Sequence, residues 1–287
     1  MVKEKAYNVS YVLVIMYKRT FKANRPPVRG NTNMIPRWDS IKEIIENSNV
    51  ILEVLDARMP ELSREKEIEK RVLENKFNEK KLIFILNKVD LVSEWQLNKN
   101  FKKLKKEGEC FIFSSKNKIG TKRLRNYLLA LGKDQEYLRI GIVGYPNTGK
   151  SSIINSLVLK KKVQVSASAG TTHGPQWVNG PGNLSIIDSP GVIPLDEHDE
   201  VRLALIAAKN VEKIKNLEIV AIEIIKLFEG NQKLKEFYKI EKEVDNSEEL
   251  FNEIGIKKGF MKKGGIVDEG RVAIQIIRDW QKGDLKL

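Results

Sequence analysis

Residues 144–151 have the composition and spacing of a phosphate-binding loop. They read Gly-Tyr-Pro-Asn-Thr-Gly-Lys-Ser, with four residues between the two glycines and a lysine and a hydroxyl side chain after the second glycine. The loop follows an apolar run that ends at Val143 and precedes a helical pattern, so backbone N–H groups and the helix dipole are placed to bind a polyphosphate. A glycine-containing turn with a coincidental Lys-Ser is the alternative for this match alone. The residues predicted to bind the phosphates or their metal ion are Asn147, Thr148, Gly149, Lys150, Ser151 and Ser152.

A second group of polar residues follows two other apolar runs. Residues 87–90 read Asn-Lys-Val-Asp and residues 114–116 read Ser-Ser-Lys. In open α/β sheets, ligands bind at the carboxyl ends of the strands. A carboxylate at this edge accepts two hydrogen bonds from the N1–H and N2–H₂ groups of guanine, which adenine lacks, so Asp90 is predicted to select GTP over ATP. A polar strand-to-helix turn is the alternative for each short match. The predicted base-binding residues are Asn87, Lys88, Asp90, Ser114, Ser115 and Lys116.

Phosphate chemistry at such a site needs a metal ion and a fixed cation. Lys150 is predicted to reach the β- and γ-phosphates, and the hydroxyl of Ser151 to ligate Mg²⁺. Residues 188–191, Asp-Ser-Pro-Gly, follow a further apolar run, so Asp188 is predicted near Mg²⁺ and the N–H of Gly191 near the γ-phosphate. Each match is weak alone, but all of them lie at predicted strand ends. Together they predict a guanine-nucleotide-binding domain that uses GTP, GDP and Mg²⁺.

Short apolar runs alternate with helical patterns from about residue 40 to residue 187. Continuous apolar runs separated by helices predict a parallel sheet that is covered on both faces. Beyond about residue 199 only helical spacing remains. The predicted fold is α/β, a P-loop GTPase domain with a mostly parallel sheet, followed by an all-α domain. The predicted parts are a basic arm at residues 1–38, the GTPase domain at residues 39–198 and the helical domain at residues 199–287. Individual helices are predicted from Asp39 or Ser40, at residues 62–76, at residues 202–209 and at residues 211–229.

The charge of the chain indicates a polyanionic partner. Its 287 residues include 51 Lys and Arg against 38 Asp and Glu, a net charge of +13. Residues 1–38 hold eight basic residues and one acidic residue beside Tyr17 and Phe21, so this arm is predicted to contact RNA phosphates and bases. A solvated, lysine-rich terminus is the alternative. Residues 257–264, Lys-Lys-Gly-Phe-Met-Lys-Lys-Gly, are a second basic candidate, for which a surface loop between helices is an equal alternative.

Other classes of protein are excluded by composition. The single cysteine, Cys110, excludes an intramolecular disulfide framework and an all-cysteine metal site. The longest uncharged apolar stretch near the start, residues 9–17, is shorter than the ~20 residues of a membrane span. We expect a cytoplasmic monomer with neither a membrane nor a DNA partner. Residues 7–15 are consistent with an edge strand or with an extension upstream of a true start at Met16.

The order of the motifs is unusual. In a typical GTPase the phosphate loop precedes the base-binding motif, whereas here residues 87–90 and 114–116 precede residues 144–151. A circular permutation keeps the same packed sheet and is tolerated when the original termini lie close together. The order resembles that of the circularly permuted GTPases of the YlqF/YawG type, a family of ribosome-assembly GTPases.

The resemblance extends over about residues 35–230 and adds two motifs. Residues 56–60, Asp-Ala-Arg-Met-Pro, are similar to the family's Asp-Ala-Arg motif, although a plain salt bridge between Asp56 and Arg58 is the alternative and neither is assigned a catalytic role. Residues 169–172, Ala-Gly-Thr-Thr, resemble the family's Pro-Gly-Thr-Thr, with Ala in place of Pro. The resemblance implies that Thr172, or failing it Thr171, is the switch threonine at Mg²⁺. The predicted catalytic residues are therefore Lys150, Thr172 and Gly191.

The resemblance implies GTP hydrolysis on the maturing large ribosomal subunit, with its rRNA as partner. Val192 and Ile193 stand where conventional GTPases carry a water-orienting glutamine, so intrinsic hydrolysis is expected to be slow. Asn147 favours activation by K⁺, and a loop asparagine that tolerates an unusual backbone angle is its alternative. Two other functions stay open: a GTPase in another RNA process, such as tRNA modification or translation, and a nucleotide-gated RNA-binding module with negligible turnover.

Overall fold

A six-stranded sheet forms the centre of the structure. The computed structural model describes residues 35–74, 80–158, 176–188 and 199–287, the last range without residues 229, 231 and 245. The strands are β1 (Val50–Asp56), β2 (Lys81–Asn87), β3 (Glu109–Ile112), β4 (Leu138–Val143), β5 (Gln176–Asn179) and β6 (Leu184–Asp188). Across the sheet they lie in the order β3-β2-β1-β4-β6-β5, and all neighbours run parallel except β5, which is antiparallel to β6. The predicted α/β fold with a mostly parallel sheet is confirmed.

Helices connect the strands and continue to the end of the chain. They are α1 (Ile35–Asn47), α2 (Lys66–Glu74), α3 (Glu94–Glu107), α4 (Thr121–Leu131), α5 (Lys150–Leu157), α6 (Glu200–Leu205), α7 (Leu217–Lys226), α8 (Gln232–Tyr238), α9 (Ser247–Lys257) and α10 (Glu269–Lys282). Short 3-10 helices occupy Val89–Leu91 and Val211–Lys213. Residues 34–287 form one compact unit. Within the described ranges, no helix is long and apolar enough to cross a membrane.

The sheet is buried because helices cover both of its faces. Every residue of β1 is buried, which explains its nearly continuous apolar sequence. On one face, Leu124 of α4 and Ile153 of α5 join the core. On the other face, Ile41 and Ile44 of α1 pack against Ile51. Parallel strands so enclosed end at a common edge, which is where the predicted motifs meet: Asp56 pairs in register with Asn87, and Ile142 with Asp188.

Several predicted element boundaries are wrong, for local reasons. Helix α1 begins at Ile35 rather than at Asp39 or Ser40, because Pro36 lies in the first turn, where its missing N–H costs no helical hydrogen bond. The helix predicted to begin at residue 62 begins at Lys66 instead, because the side chain and backbone of Ser63 form a hydrogen-bonded turn with Met59. Helix α6 also ends earlier than predicted, at Leu205. The single helix predicted at residues 211–229 is divided into a 3-10 helix and α7.

Candidate functional site

The phosphate loop predicted at residues 144–151 connects β4 to α5, as its sequence pattern requires. Gly144 and Gly149 have φ angles of 137° and 100°, in the left-handed region that favours glycine. A Cβ on Gly144 would lie 2.7 Å from the carbonyl oxygen of Val54, and one on Gly149 would lie 2.2 Å from Nδ2 of Asn87. Only glycine therefore fits at both positions.

Lys150 is the first residue of α5 and its ammonium group is held inside the loop. Its Nζ donates to the carbonyl oxygens of Gly144 at 3.0 Å and Tyr145 at 2.8 Å. The hydroxyl of Thr148 also donates to the carbonyl oxygen of Tyr145, at 2.9 Å, which closes the turn. Lys150 is buried, so its charge acts in a region of low dielectric. This arrangement places a fixed cation where the sequence predicts the terminal phosphates.

The predicted base-binding loops are joined to the phosphate loop and to each other. Nδ2 of Asn87, the last residue of β2, donates to the carbonyl oxygen of Thr148 in the phosphate loop at 2.7 Å. The hydroxyl of Ser114 donates to Oδ1 of Asp90 at 2.6 Å and so fixes the carboxylate that is predicted to select guanine. The structure thus brings together three segments that are distant in sequence.

Two buried polar atoms of the predicted base-binding loops are left for a ligand. Oδ1 of Asn87 and Oγ of Ser115 are buried and have no hydrogen-bond partner among the described residues. Buried polar atoms are ordinarily hydrogen-bonded, so unpaired ones in these two segments fit a polar ligand. Lys116 is exposed at the end of this loop. The residues present therefore fit the predicted nucleotide.

Lys88 is anchored by an ion pair beneath the base-binding loop. It has a φ of 62°, and its Nζ donates to Oδ2 of Asp56 at 2.8 Å. Burial lowers the pKa of the Lys88 ammonium, and the neighbouring carboxylate opposes part of that shift. Burial alone would raise the pKa of Asp56, but the charges of Arg58 and Lys88 outweigh it and hold that pKa below its ordinary value. The carbon chain of Lys88, which is predicted to cover the base, is therefore fixed at its far end.

The Asp-Ala-Arg segment connects the sheet to the last helix. The salt bridge considered between Asp56 and Arg58 is present, with Nη2 of Arg58 2.8 Å from Oδ2 of Asp56, and both side chains are buried. Nη1 of Arg58 also donates to the carbonyl oxygen of Trp280 at 2.5 Å, and the guanidinium lies 4.1 Å from the indole ring centroid. Trp280 in turn donates from Nε1 to the carbonyl oxygen of Leu205 at 2.7 Å. Arg58 therefore has a structural role that the sequence alone did not reveal.

Replacing Arg58 with Met should lower the free energy of unfolding by about 3–5 kcal/mol, because Asp56 and the carbonyl of Trp280 would lose a buried charged partner. Urea unfolding followed by circular dichroism measures this loss. Lys103→Met is the matched control, because Lys103 pairs with Glu61 at 3.1 Å on the surface and its loss should cost less than about 1 kcal/mol. Equal losses in the two variants would contradict the role assigned to Arg58.

The segment after α6 contacts the phosphate loop. Asn147, with a φ of 60°, donates from Nδ2 to the carbonyl oxygen of Ala207 at 2.8 Å. Tyr145 is fully buried against Leu203 and Ile206. The left-handed φ of Asn147 is expected of an ordinary loop asparagine that tolerates an unusual backbone angle, which is the alternative to a role in K⁺ activation. The sequence does not predict the contact of Asn147 with Ala207. No short motif marks residues 203–208 in the sequence. These residues support the phosphate loop through contacts with residues about 60 positions earlier in the chain, which sequence spacing does not reveal.

The remaining predicted site residues are only partly described. Ser151 and Ser152 lie in the first turn of α5 and are half-buried. Asp188 ends β6, where its backbone pairs with Ile142 and Gln176. Thr171, Thr172 and Gly191 lie outside the described residues, as do residues 1–34 of the basic arm.

A P-loop follows a parallel strand and is preceded in the chain by the predicted base-binding loops, the first of which contacts it through Asn87. This arrangement defines a guanine-nucleotide-binding domain in permuted order. Residues 139–253 match the family described as 50S ribosome-binding GTPase. An uncharacterised GTP-binding protein of Methanocaldococcus jannaschii is 40% identical over 258 residues, which are 88% of this chain and 66% of that protein. Nucleolar GTP-binding protein 2 of Pneumocystis carinii is 33% identical over 254 residues, 86% of this chain and 52% of that protein.

A solved structure shares the fold. The GNP-bound YlqF of Thermotoga maritima matches with a TM-score of 0.57 and 27% identity, over 88% of this chain and 95% of that chain. The chain belongs to the family of circularly permuted GTPases that includes YlqF. It spans about half to two thirds of the length of the curated relatives that it matches.

Proposed function

We propose that this chain binds and hydrolyses GTP and acts as a switch in assembly of the large ribosomal subunit, through binding to its rRNA. The observation that carries the proposal is the 2.7 Å hydrogen bond from Asn87 to Thr148, because it joins a base-binding loop to a phosphate loop. The ribosomal part is supported by the family description and by the nucleolar relatives. A cytoplasmic location, a monomeric state, and partners that include neither membrane nor DNA belong to the same proposal.

Base selection is assigned to the two loops at the ends of β2 and β3. In this proposal the carboxylate of Asp90, held by Ser114, accepts the two hydrogen bonds that guanine donates. Asn87 holds the base against the phosphate loop, and the carbon chain of Lys88 covers it. Ser115 and Lys116 are proposed to contact the base from the loop after β3.

Phosphate binding is assigned to residues 147–152 and to the N-terminus of α5. Backbone N–H groups there bind oxygen atoms of the phosphates, and Lys150 stabilises the charge that develops during hydrolysis. Ser151, Asp188 and Thr172 are the proposed groups around Mg²⁺, which neutralises charge on the β- and γ-phosphates when bound. The N–H of Gly191 is proposed to contact the γ-phosphate.

The proposed switch has a physical connection to the helical part of the chain. The phosphate loop contacts the segment after α6 through the hydrogen bond from Asn147 to Ala207 and through the buried ring of Tyr145. A change in the loop on nucleotide binding would therefore act on the helices directly. In this proposal, that change alters the surface that contacts rRNA.

Stimulation by ribosomal particles tests the proposal. Because Val192 and Ile193 cannot orient a water through their side chains, the protein alone should hydrolyse GTP slowly. Purified large subunits should raise the rate of phosphate release, and equimolar small subunits should not. No hydrolysis in any mixture would favour the RNA-binding module without turnover. Equal stimulation by tRNA or small subunits would favour another RNA process.

Potassium should stimulate GTP turnover relative to sodium at equal ionic strength, because an asparagine oxygen in the phosphate loop is suited to hold a monovalent cation near the phosphates. Asn147→Ala should abolish this preference. The readout is the ratio of rates in K⁺ and Na⁺, because loss of the hydrogen bond to Ala207 would change both rates alike. A ratio near one in the unmodified protein, or an unchanged ratio in the variant, would contradict the proposed cation site.

A further inference from the structure

Helix α3 presents an aromatic and basic surface to solvent. Trp95, Lys99, Lys102 and Lys106 recur at intervals of four, three and four residues, which places them on one side of the helix within an arc of about 60°. We call these four residues the α3 stripe. All four are exposed, and Trp95 retains 66% of its accessible surface. The opposite side of the helix, with Leu97, Phe101 and Leu104, packs against the sheet.

The α3 stripe lies in the most basic described part of the GTPase region. Residues 94–125 contain ten basic and three acidic residues, a net charge of +7, whereas residues 39–198 as a whole have only +6. Two of the three acidic residues are already paired, Glu107 with Arg64 and Glu109 with Lys105. Lys102 and Lys106 have no acidic partner among the described residues, so their charges are available to an external anion.

The indole of Trp95 adds a second kind of contact. Nζ of Lys99 lies over the ring, 4.9 Å from its centroid, so a cation is held on one face of the exposed indole. An aromatic ring with flanking cations is the combination that binds unpaired nucleic acid, because the ring stacks on a base while the cations contact phosphates. An acidic protein would use the lysines but would not require the ring. A duplex would offer no accessible base face to Trp95.

We propose that the α3 stripe is a binding site for unpaired RNA, with Trp95 stacked on a base and the three lysines at successive phosphates. This inference rests on the proposed function, in which the partner is RNA. The stripe extends about 16 Å along the helix, long enough for several nucleotides. Helix α3 begins four residues after Asp90, so RNA bound to the stripe lies on the element that directly follows the base-binding loop.

Removal of the lysines tests the phosphate contacts. The test compares Lys99→Gln/Lys102→Gln/Lys106→Gln with the control Lys133→Gln/Lys213→Gln/Lys215→Gln, which removes three exposed lysines outside the α3 stripe. Fluorescence anisotropy with a labelled oligouridine of about 12 nucleotides gives the association constant at several salt concentrations. The plot of log K against log salt should become flatter in the stripe variant. The magnitude of its negative slope should decrease by about 2, since each of the three phosphate contacts contributes about 0.7 in single strands. It should stay unchanged in the control.

Removal of the ring tests the stacking contact. Trp95→Ala should weaken oligouridine binding at least about fivefold, the effect of a stacking contact at the weak end of the usual range. The salt slope and the affinity for an RNA duplex should not change. Unaltered GTP affinity in each variant shows that the fold is retained.

The outcomes separate this inference from the proposed function. If the unmodified protein binds RNA but the stripe variant and its control behave alike, the α3 stripe is not the site and the proposed function stands. Equal losses for oligouridine and duplex in Trp95→Ala would contradict recognition of unpaired bases. Failure of the unmodified protein to bind any RNA would overturn the inference and the RNA part of the proposed function together.

Discussion

Asp90→Asn is expected to weaken GTP binding at least about 100-fold and to shift the preference of the protein to xanthosine triphosphate. Two charge-assisted hydrogen bonds from guanine would be lost, and each is ordinarily worth about 1.5–3 kcal/mol. The amide of the new side chain would present a donor where guanine also donates, whereas xanthine offers a carbonyl oxygen there. Competition against a fluorescent nucleotide measures both affinities.

Ser114→Ala is the matched control for Asp90→Asn. It removes the 2.6 Å hydrogen bond that orients Asp90 but keeps the carboxylate. Its GTP affinity should therefore fall less, with no gain for xanthosine triphosphate. If Asp90→Asn binds GTP as tightly as the unmodified protein, the base-binding assignment is wrong.

Lys150→Ala is expected to lower the rate of GTP hydrolysis at saturating nucleotide by at least about 100-fold, and to weaken nucleotide binding. The ammonium group of Lys150 is buried within the phosphate loop, where a fixed charge stabilises developing negative charge without reorganisation. Release of inorganic phosphate in the presence of large ribosomal subunits gives a rate high enough to measure the loss.

Lys133→Ala removes the same charge from an exposed position and should leave the rate unchanged. Circular dichroism establishes that both variants are folded. Turnover by Lys150→Ala at the rate of the unmodified protein would remove the phosphate-loop assignment.

The parts of the fold that sequence predicted best are those whose pattern is local. Residues 82–86 of β2 are continuously apolar because both faces of the sheet are covered, and β4 is apolar apart from Gly141 and the exposed Arg139. Strand β5 was missed because Gln-Trp-Val-Asn is short and carries only two apolar residues, so its pairing with β6 rather than its sequence defines it. The late start of α2 and the separation of α7 from the 3-10 helix before it depend on individual hydrogen bonds. The spacing of apolar residues in the sequence does not reveal them.

In the candidate site, too, features with a local sequence pattern were predicted and contacts between distant residues were not. The motifs that follow strands were identified because the carboxyl edge of a parallel sheet is a geometric consequence of the strand order. The contact between Arg58 and Trp280 joins residues 222 positions apart, and the contact between Asn147 and Ala207 joins residues 60 positions apart. Such pairs cannot be read from spacing in a single sequence. The switch assignments for Thr172 and Gly191 stay predictions, because both residues lie outside the described ranges. The domain boundary at residues 198 and 199 stays a prediction as well.

Co-sedimentation with purified large ribosomal subunits tests the central claim, that bound nucleotide controls association with the large subunit. The account predicts that more protein sediments with a non-hydrolysable GTP analogue than with GDP, and that little sediments with small subunits in either state. For Asp90→Asn, the corresponding xanthosine analogue should restore binding that the GTP analogue does not. Equal sedimentation with GDP and with the analogue, or equal sedimentation with both subunits, would contradict the account.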